Sequence, residues 1–284
     1  MKKVLLQLDS DRQPSAFDRI VALDAGVDEV LSYGGLVPAD VASLVHGVIF
    51  TRGPQELHHT ALWAGGGDVA AGEALLEAAQ KAFFGPFRVS LMMDSNGCNT
   101  TAAAAVARLA GVVDLKGARA VILAGTGPVG LRAAVLLGRE GASVTLSSRS
   151  MERAQAACER LRSRFGVEVT PAEARDDRGV ARAVEGAQVC LAAGAAGTTL
   201  LRRAVWATHP TLKAMADVNA VPPLGIEGIE ATDKGTERDG RKVFGALGVG
   251  GLKMKVHKAC VVRLFERNDQ VLDIDVIYAV ARSL

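Results

Sequence analysis

Residues 119–141, RAVILAGTGPVGLRAAVLLGREG, constrain what this chain can fold into more than any other stretch of it. An apolar run over 119–124 leads into three glycines spaced GxGxxG, namely Gly125, Gly127 and Gly130. A helix-periodic segment over 128–140 follows and is stopped by Gly141. The first glycine allows a tight turn after a strand and the second lets a pyrophosphate approach the backbone. The third lets the helix lie close on the strand. Unpaired amides at the helix start, together with the positive end of its dipole, favour phosphate. A glycine turn with no ligand has the same spacing, and it is the strand before and the helix after that favour a nucleotide. The pattern predicts that Gly125, Thr126, Gly127, Pro128, Val129 and Gly130 line a dinucleotide, inside a mainly parallel α/β sheet.

The end of the next predicted strand (143–147) bears on which dinucleotide. An NAD site usually places a carboxylate about 20 residues after the loop, on the ribose hydroxyl. Here that place holds Ser147, Ser148, Arg149 and Ser150, with Arg153 one turn further. Hydroxyl and guanidinium groups bind a 2′-phosphate that a carboxylate would repel. Ser148, Arg149 and Arg153 are therefore expected to select NADP. The stretch 148–154, SRSMERA, also resembles the NRTxxRA signature of shikimate dehydrogenases, which reads the same phosphate. Further on, Gly194, Ala195 and Asn219 stand at predicted strand ends, where they would face the nicotinamide half; ordinary turns between strand and helix would look the same.

Elsewhere, short apolar runs at 4–8, 45–50 and 87–93 read as strands, and 17–25, 68–84 and 99–109 as helices. After the glycine loop come a helix at 151–165, a strand at 167–170 and a helix at 177–184. Strands at 188–193 and 213–218 complete that half. Residues 222–251, rich in glycine and turn formers, read as one long functional loop. Helices at 252–265 and 274–282 end the chain. The expected fold class is α/β with two domains, a Rossmann-type NADP-binding domain (103–256) and an N-terminal α/β domain (1–102) completed by C-terminal helices (257–284). A length of 284 residues, a 49% hydrophobic fraction and 31 glycines suit that plan.

Charge and composition exclude several functions. Lys and Arg total 33 against 31 Asp and Glu, so no polyanion surface is expected and nucleic acid is not a predicted partner. No run reaches the roughly 18–20 apolar residues of a membrane span, and Asp9 and Asp11 interrupt the N-terminus too early for a secretory signal. Cys98, Cys158, Cys190 and Cys260 are scattered without a CxxC pair, and His58-His59 has no further ligand at metal spacing. No metal site is expected, and free buried thiols fit a cytoplasmic protein.

Longer strings carry a more specific likeness. PSAFD (14–18), FTRG (50–53), FFGPFRVS (83–90), DSNGCNTTAAA (94–104), LAGTGPVG (123–130), ATDKG (231–235) and the FGALG…GGLK…K…H…AC pattern (244–260) span nearly the whole chain. They resemble the bacterial methylene-tetrahydromethanopterin dehydrogenases of methylotrophs, including forms that also accept methylene-tetrahydrofolate. The resemblance implies a homo-oligomer, a trimer or a multiple of one. It also implies a reduced pterin substrate held between the domains and reversible hydride transfer to NADP⁺ that yields the methenyl form.

Lys253 matches the lysine of the GGLK string and is the expected catalytic residue, tuning the charge on the substrate's ring nitrogens; a lysine near an apolar ring sheds its proton more readily than one in water. A solvated lysine at a helix start, beside Lys255 and Lys258, is the plainer reading of that residue. Phe17 would stack on the pterin and Asp18 would accept from its NH groups, while Asn96, Asn99 and Thr101 would fix its edge. As purely structural residues the same side chains read as core (Phe17), helix face (Asp18) and helix cap (Asn99). His257, one turn beyond Lys253, lies on the same helix face. Two other functions stay open. One is a shikimate-dehydrogenase-like enzyme, which would need a lysine–aspartate pair in the N-terminal domain, where Lys2, Lys3 and Lys81 are the only lysines. The other is a non-catalytic NADP- or pterin-binding protein.

Overall fold

The computed structural model describes residues 1–284. The chain divides into two compact units, one formed by Met1–Thr100 with Met254–Leu284 and the other by Thr101–Lys253.

The first unit begins with β1 (Val4–Asp9), α1 (Ala16–Asp24), β2 (Glu29–Tyr33), α2 (Pro38–Ile49) and β3 (Thr60–Gly65). It continues through α3 (Val69–Lys81) and β4 (Ser90–Met93) into α4 (Cys98–Ala110). The second unit contains β5 (Arg119–Leu123), α5 (Pro128–Arg139), β6 (Ser143–Ser148), α6 (Met151–Phe165), β7 (Val169–Glu173) and α7 (Asp177–Val184). Then come β8 (Val189–Ala192), α8 (Arg203–Trp206), β9 (Ala214–Asp217), β10 (Lys234–Arg238) and β11 (Arg241–Phe244). Helix α9 (Ala246–Leu264) leads back to the first unit, which ends with β12 (Val271–Leu272) and α10 (Ile274–Ser283).

The first sheet has the order β12-β4-β3-β1-β2, with every pair parallel. Strand β3 is buried at all six positions, as expected of a central strand covered on both faces. Leu6, Leu8, Leu62 and Leu91 pack with Val41, Val45 and Ile49 of α2 and Leu75 of α3 in one core. The second sheet runs β10-β11-β9-β8-β5-β6-β7 and is parallel except for the β10–β11 pair. Its core joins Val121, Cys190 and Met215 to Val184 and Trp206.

The α/β class and most elements appear as expected, and three local readings do not. Residues 45–50 are the end of helix α2, not a strand. Val41, Val45, Val48 and Ile49 are buried at i, i+4, i+7 and i+8, a helical stripe that the β-branched residues disguised. Pro38 opens this helix, and Asp40 accepts the Val37 N–H at 3.0 Å. The strands of that region are instead Glu29–Tyr33 and Thr60–Gly65. Residues 222–251 are not one loop, because they contain the β10–β11 hairpin and the start of α9. Asp239 and Gly240 make its turn, both with positive φ, the conformation a two-residue hairpin needs. The strand expected at 167–170 lies at Val169–Glu173.

Candidate dinucleotide and substrate sites

Strand β5 ends in a compressed turn. Ala124 is held at φ 52°, its N–H donates to Ser147 Oγ at 3.2 Å, and Gly125 N–H donates to the Ser147 carbonyl at 2.9 Å. A Cβ on Gly125 would come within 2.8 Å of Ile122, and one on Gly130 within 2.4 Å of the Gly125 carbonyl oxygen. Gly130 thus lets α5 descend onto the turn. Gly127 is different: a Cβ there would meet nothing within 4 Å. It is the residue before α5, and Pro128 sets the first helical turn without spending an amide. The chain therefore leaves room at the one glycine where a pyrophosphate would approach.

Two cavities adjoin at Arg149. The inner one, about 150 Å³, has walls of Leu123, Val180, Ala174 and Leu200, with Ser147 and Ser148 on one side and Ala195 and Thr198 on another. It is a narrow, largely apolar slot at the carboxyl ends of the strands, where open α/β sheets bind ligands. The outer one, about 470 Å³, is lined by Arg149, Ser150, Arg153, Glu173 and Arg175. Parallel pairing of β6 with β7 sets Ser148 opposite Glu173, which brings the ends of both strands to one place. Ser150 caps α6, its Oγ accepting the Arg153 N–H at 3.4 Å. Glu173 accepts the Met151 N–H at 3.2 Å. Three guanidinium groups against one carboxylate leave two net positive charges, which fits a phosphate monoester.

The remaining expected cofactor residues divide. Ala195, expected at the nicotinamide half, instead lines the inner slot with Ser147, Ser148 and Arg149, and Gly194 packs so close to Leu200 and Ala124 that a Cβ would meet Leu200 at 2.7 Å. The Asn219 side chain is spent on its own loop. It donates to the carbonyls of Val221 and Pro223 and accepts the Val221 N–H at 2.9 Å. Beneath that loop lies Asp217, 1% exposed, which accepts the N–H groups of Asn219 and Ile226 at 2.9 Å each. Burial pushes its carboxyl above the usual carboxylate value, against these same N–H groups, which pull it down.

Four of the expected pterin residues, Phe17, Asp18, Asn96 and Asn99, belong to the first unit and follow the carboxyl ends of β1 and β4, whereas Thr101 falls in the second unit. Phe17 is 48% exposed and not core; its ring centroid lies 6.0 Å from that of His257. The Asp18 carboxylate is one of the groups a Cβ on Gly65 would face, 3.7 Å away beside Asp9. Asn96 is exposed at φ 54°, with its N–H on the Gly66 carbonyl at 2.7 Å. Asn99 is fully buried, and its Nδ2 donates to the Met93 carbonyl at 2.6 Å and to Asp273 Oδ1 at 3.2 Å. Thr101 is half-buried in the first turns of α4.

One group escaped the sequence reading. Asp94 accepts the N–H groups of Asn99 and Thr100 and the Thr100 hydroxyl, at 2.8, 3.0 and 2.5 Å, and so opens α4. The same carboxylate lies 3.8 Å from the buried His257 Nε2, and the His257 ring packs 4.7 Å from Trp63. Helical spacing sets His257 one turn beyond the half-buried Lys253 on α9. The four cysteines are free and buried. Burial and the nearby Asp94 charge push the Cys260 thiol up to about 12, so it is no nucleophile. No helix is long and apolar enough to cross a membrane.

A glycine turn, an apolar slot and an arginine pocket at consecutive strand ends define a Rossmann-type dinucleotide-binding protein. Among solved structures, the fold is similar to shikimate 5-dehydrogenase from Listeria monocytogenes in complex with shikimate and NAD. The TM-score is 0.52 at 13% identity, covering 98% of this chain and 96% of that one. It is also similar to quinate dehydrogenase from Corynebacterium glutamicum in complex with NAD, with a TM-score of 0.51 at 15% identity, covering 100% and 99%. At such identities the likeness concerns the fold alone.

Sequence relatives are more specific. Residues 16–96 match the family described as methylene-tetrahydromethanopterin dehydrogenase, N-terminal. The chain is 51% identical to the "Bifunctional protein MdtA" of Methylorubrum extorquens (strain AM1), over 100% of this chain and 99% of that protein. It is 33% identical to that organism's "NAD(P)-dependent methylenetetrahydromethanopterin dehydrogenase", over 94% and 93%. The chain belongs to the methylene-tetrahydromethanopterin dehydrogenase family.

Proposed function

We propose that the protein transfers a hydride reversibly from methylene-tetrahydromethanopterin, and from methylene-tetrahydrofolate, to NADP⁺, forming the methenyl pterin. The observation that carries the cofactor assignment is the outer pocket, where arginines stand at the strand end that would hold a carboxylate in an NAD site. The substrate assignment rests on family membership.

The methylene carbon lies between two nitrogens, so loss of hydride leaves a cation shared over N–C–N. The nitrogen lone pairs drive departure and no strong base is required. NADP⁺, when bound, supplies the hydride acceptor. The chain's task is placement and shielding, which can lower a barrier by roughly 7–11 kcal/mol. The α5 amides and Gly127 take the pyrophosphate, the slot bounded by Leu123 and Val180 takes the adenine, and Arg149 and Arg153 take the 2′-phosphate. Phe17 offers an exposed ring for stacking, and Asp18 accepts from pterin NH groups. Asn96 presents its side chain to solvent at the same strand ends. Asn99 and Thr101 serve this site through the start of α4. Lys253 controls charge at the substrate's ring nitrogens without attacking carbon. The unit built on residues 1–100 with 254–284 is assigned to the substrate and that of 101–253 to the cofactor. A homo-oligomer, a trimer or a multiple of one, and a cytoplasmic setting complete the reading, the latter supported by four buried free thiols.

A shikimate-dehydrogenase-like reaction finds less support. Lys2 and Lys3 precede β1 and Lys81 ends α3, so these lysines stand at the amino ends of the strands, opposite to Asp9 and Asp94 at the carboxyl ends. Steady-state assays of both pterin carriers and of shikimate, each with NADP⁺ and NAD⁺, test the proposal. Turnover of a methylene pterin with NADP⁺ is expected. Binding without turnover would leave a cofactor-holding protein instead, and oxidation of shikimate would reverse the substrate assignment.

A further inference from the structure

The end of β7 supplies two charged side chains to the outer pocket, Glu173 and Arg175, which bracket Ala174. Ala174 lines the adenine slot, while Glu173, the last residue of β7, and Arg175, just past it, line the cavity shared with Arg149 and Arg153. Register holds this arrangement in place: Ala174 N–H donates to the Ser148 carbonyl at 2.8 Å, so the β7 end cannot slide relative to Ser148 and Arg149. Glu173 meanwhile accepts the Met151 N–H at the start of α6, a position that suits an anion.

Building on the NADP reading above, we propose that Arg175 is the third guanidinium of the 2′-phosphate site and that Glu173 is a resident competitor, displaced from the Met151 N–H when the phosphate arrives. With the carboxylate in place the pocket carries two net positive charges, equal and opposite to a phosphate dianion. Glu173 would then do two things. It holds the α6 start in position while no ligand is bound, and it sets the affinity below what three arginines alone would give. Arg175 is thus a specificity-determining residue that discriminates NADP from NAD without approaching the reacting atoms.

Calorimetric titration of the full chain with adenosine 2′,5′-bisphosphate and with adenosine 5′-monophosphate tests this with no turnover involved. The two probes share the adenosine and differ in the 2′-phosphate, so the monophosphate also reports whether a variant keeps its slot folded. Arg175→Ala should weaken the bisphosphate about tenfold or more and leave the monophosphate unchanged, as expected for loss of one charge-assisted contact. Glu173→Gln should tighten the bisphosphate severalfold, again with the monophosphate unmoved. An Arg175→Ala protein with the parent's ratio of affinities would overturn the Arg175 assignment, while the NADP reading survives. Unchanged or weaker bisphosphate binding in Glu173→Gln would overturn the competitor role. A parent protein that binds both probes equally would remove the NADP reading and this inference with it.

Discussion

A methyl group added at Gly127 would meet no protein atom within 4 Å, whereas one added at Gly130 would sit 2.4 Å from a backbone oxygen. The two positions therefore separate ligand binding from folding. Gly127, at φ −80°, accommodates alanine without strain, so Gly127→Ala should keep the parent's thermal midpoint yet bind NADP at least about tenfold more weakly, as calorimetry would read. Gly130→Ala should lower the midpoint as well, since α5 must move off the turn. Lys253→Ala is expected to reduce kcat strongly while cofactor affinity stays near the parent's; normal turnover at saturating substrate would remove Lys253 from the chemistry. Asp217 gives a pH signature. Its carboxyl is raised on folding, so its stabilising contribution is complete below the unfolded carboxylate value and is lost as pH rises through the folded value. The stability of the parent relative to Asp217→Asn, from urea titrations across the acid range, should fall as pH rises; a difference that grows with pH would contradict the burial argument.

At the scale of elements, helix α4 begins on one carboxylate that accepts two N–H groups and a hydroxyl in a fully buried place. Asp94→Ala strands those donors away from water and should cost at least about 2 kcal/mol in urea unfolding, more than an exposed cap. What was legible in the sequence follows the same distinction between local and distant pairing. The glycine turn, Arg149 and Arg153 lie within thirty residues of one another in the chain, and local spacing located them. Arg175 joins them only through the β6–β7 register, and His257 reaches Asp94 across 163 residues, so neither has a local signal. Helix α2 misled because its buried stripe is made of valine and isoleucine, residues that favour strands, and its helical spacing shows only once Val41 is counted with Val45, Val48 and Ile49. The β10–β11 hairpin did have a signal, the Asp239-Gly240 pair, obscured by the turn-rich residues before it.

At the scale of the molecule, one unit is made of chain segments separated by more than 150 residues. Strand β12 pairs with β4, Ser90 Oγ donates to the Arg267 carbonyl and accepts the Gln270 N–H, and α10 buries Ile274, Ile277 and Tyr278. Ending the chain after Phe265 should expose the β4 edge and leave the first unit loosely packed. The expected readouts are dye binding to exposed apolar surface and a broadened unfolding transition; a sharp, parent-like transition would show that the last segment is dispensable. The discontinuity also orders events on the ribosome. At about 5–20 residues per second, the earliest-made strands wait on the order of ten seconds or more for the partner that closes their edge. By then the intervening unit has been made whole, so the first-translated hundred residues are the ones that keep an open sheet edge longest during synthesis.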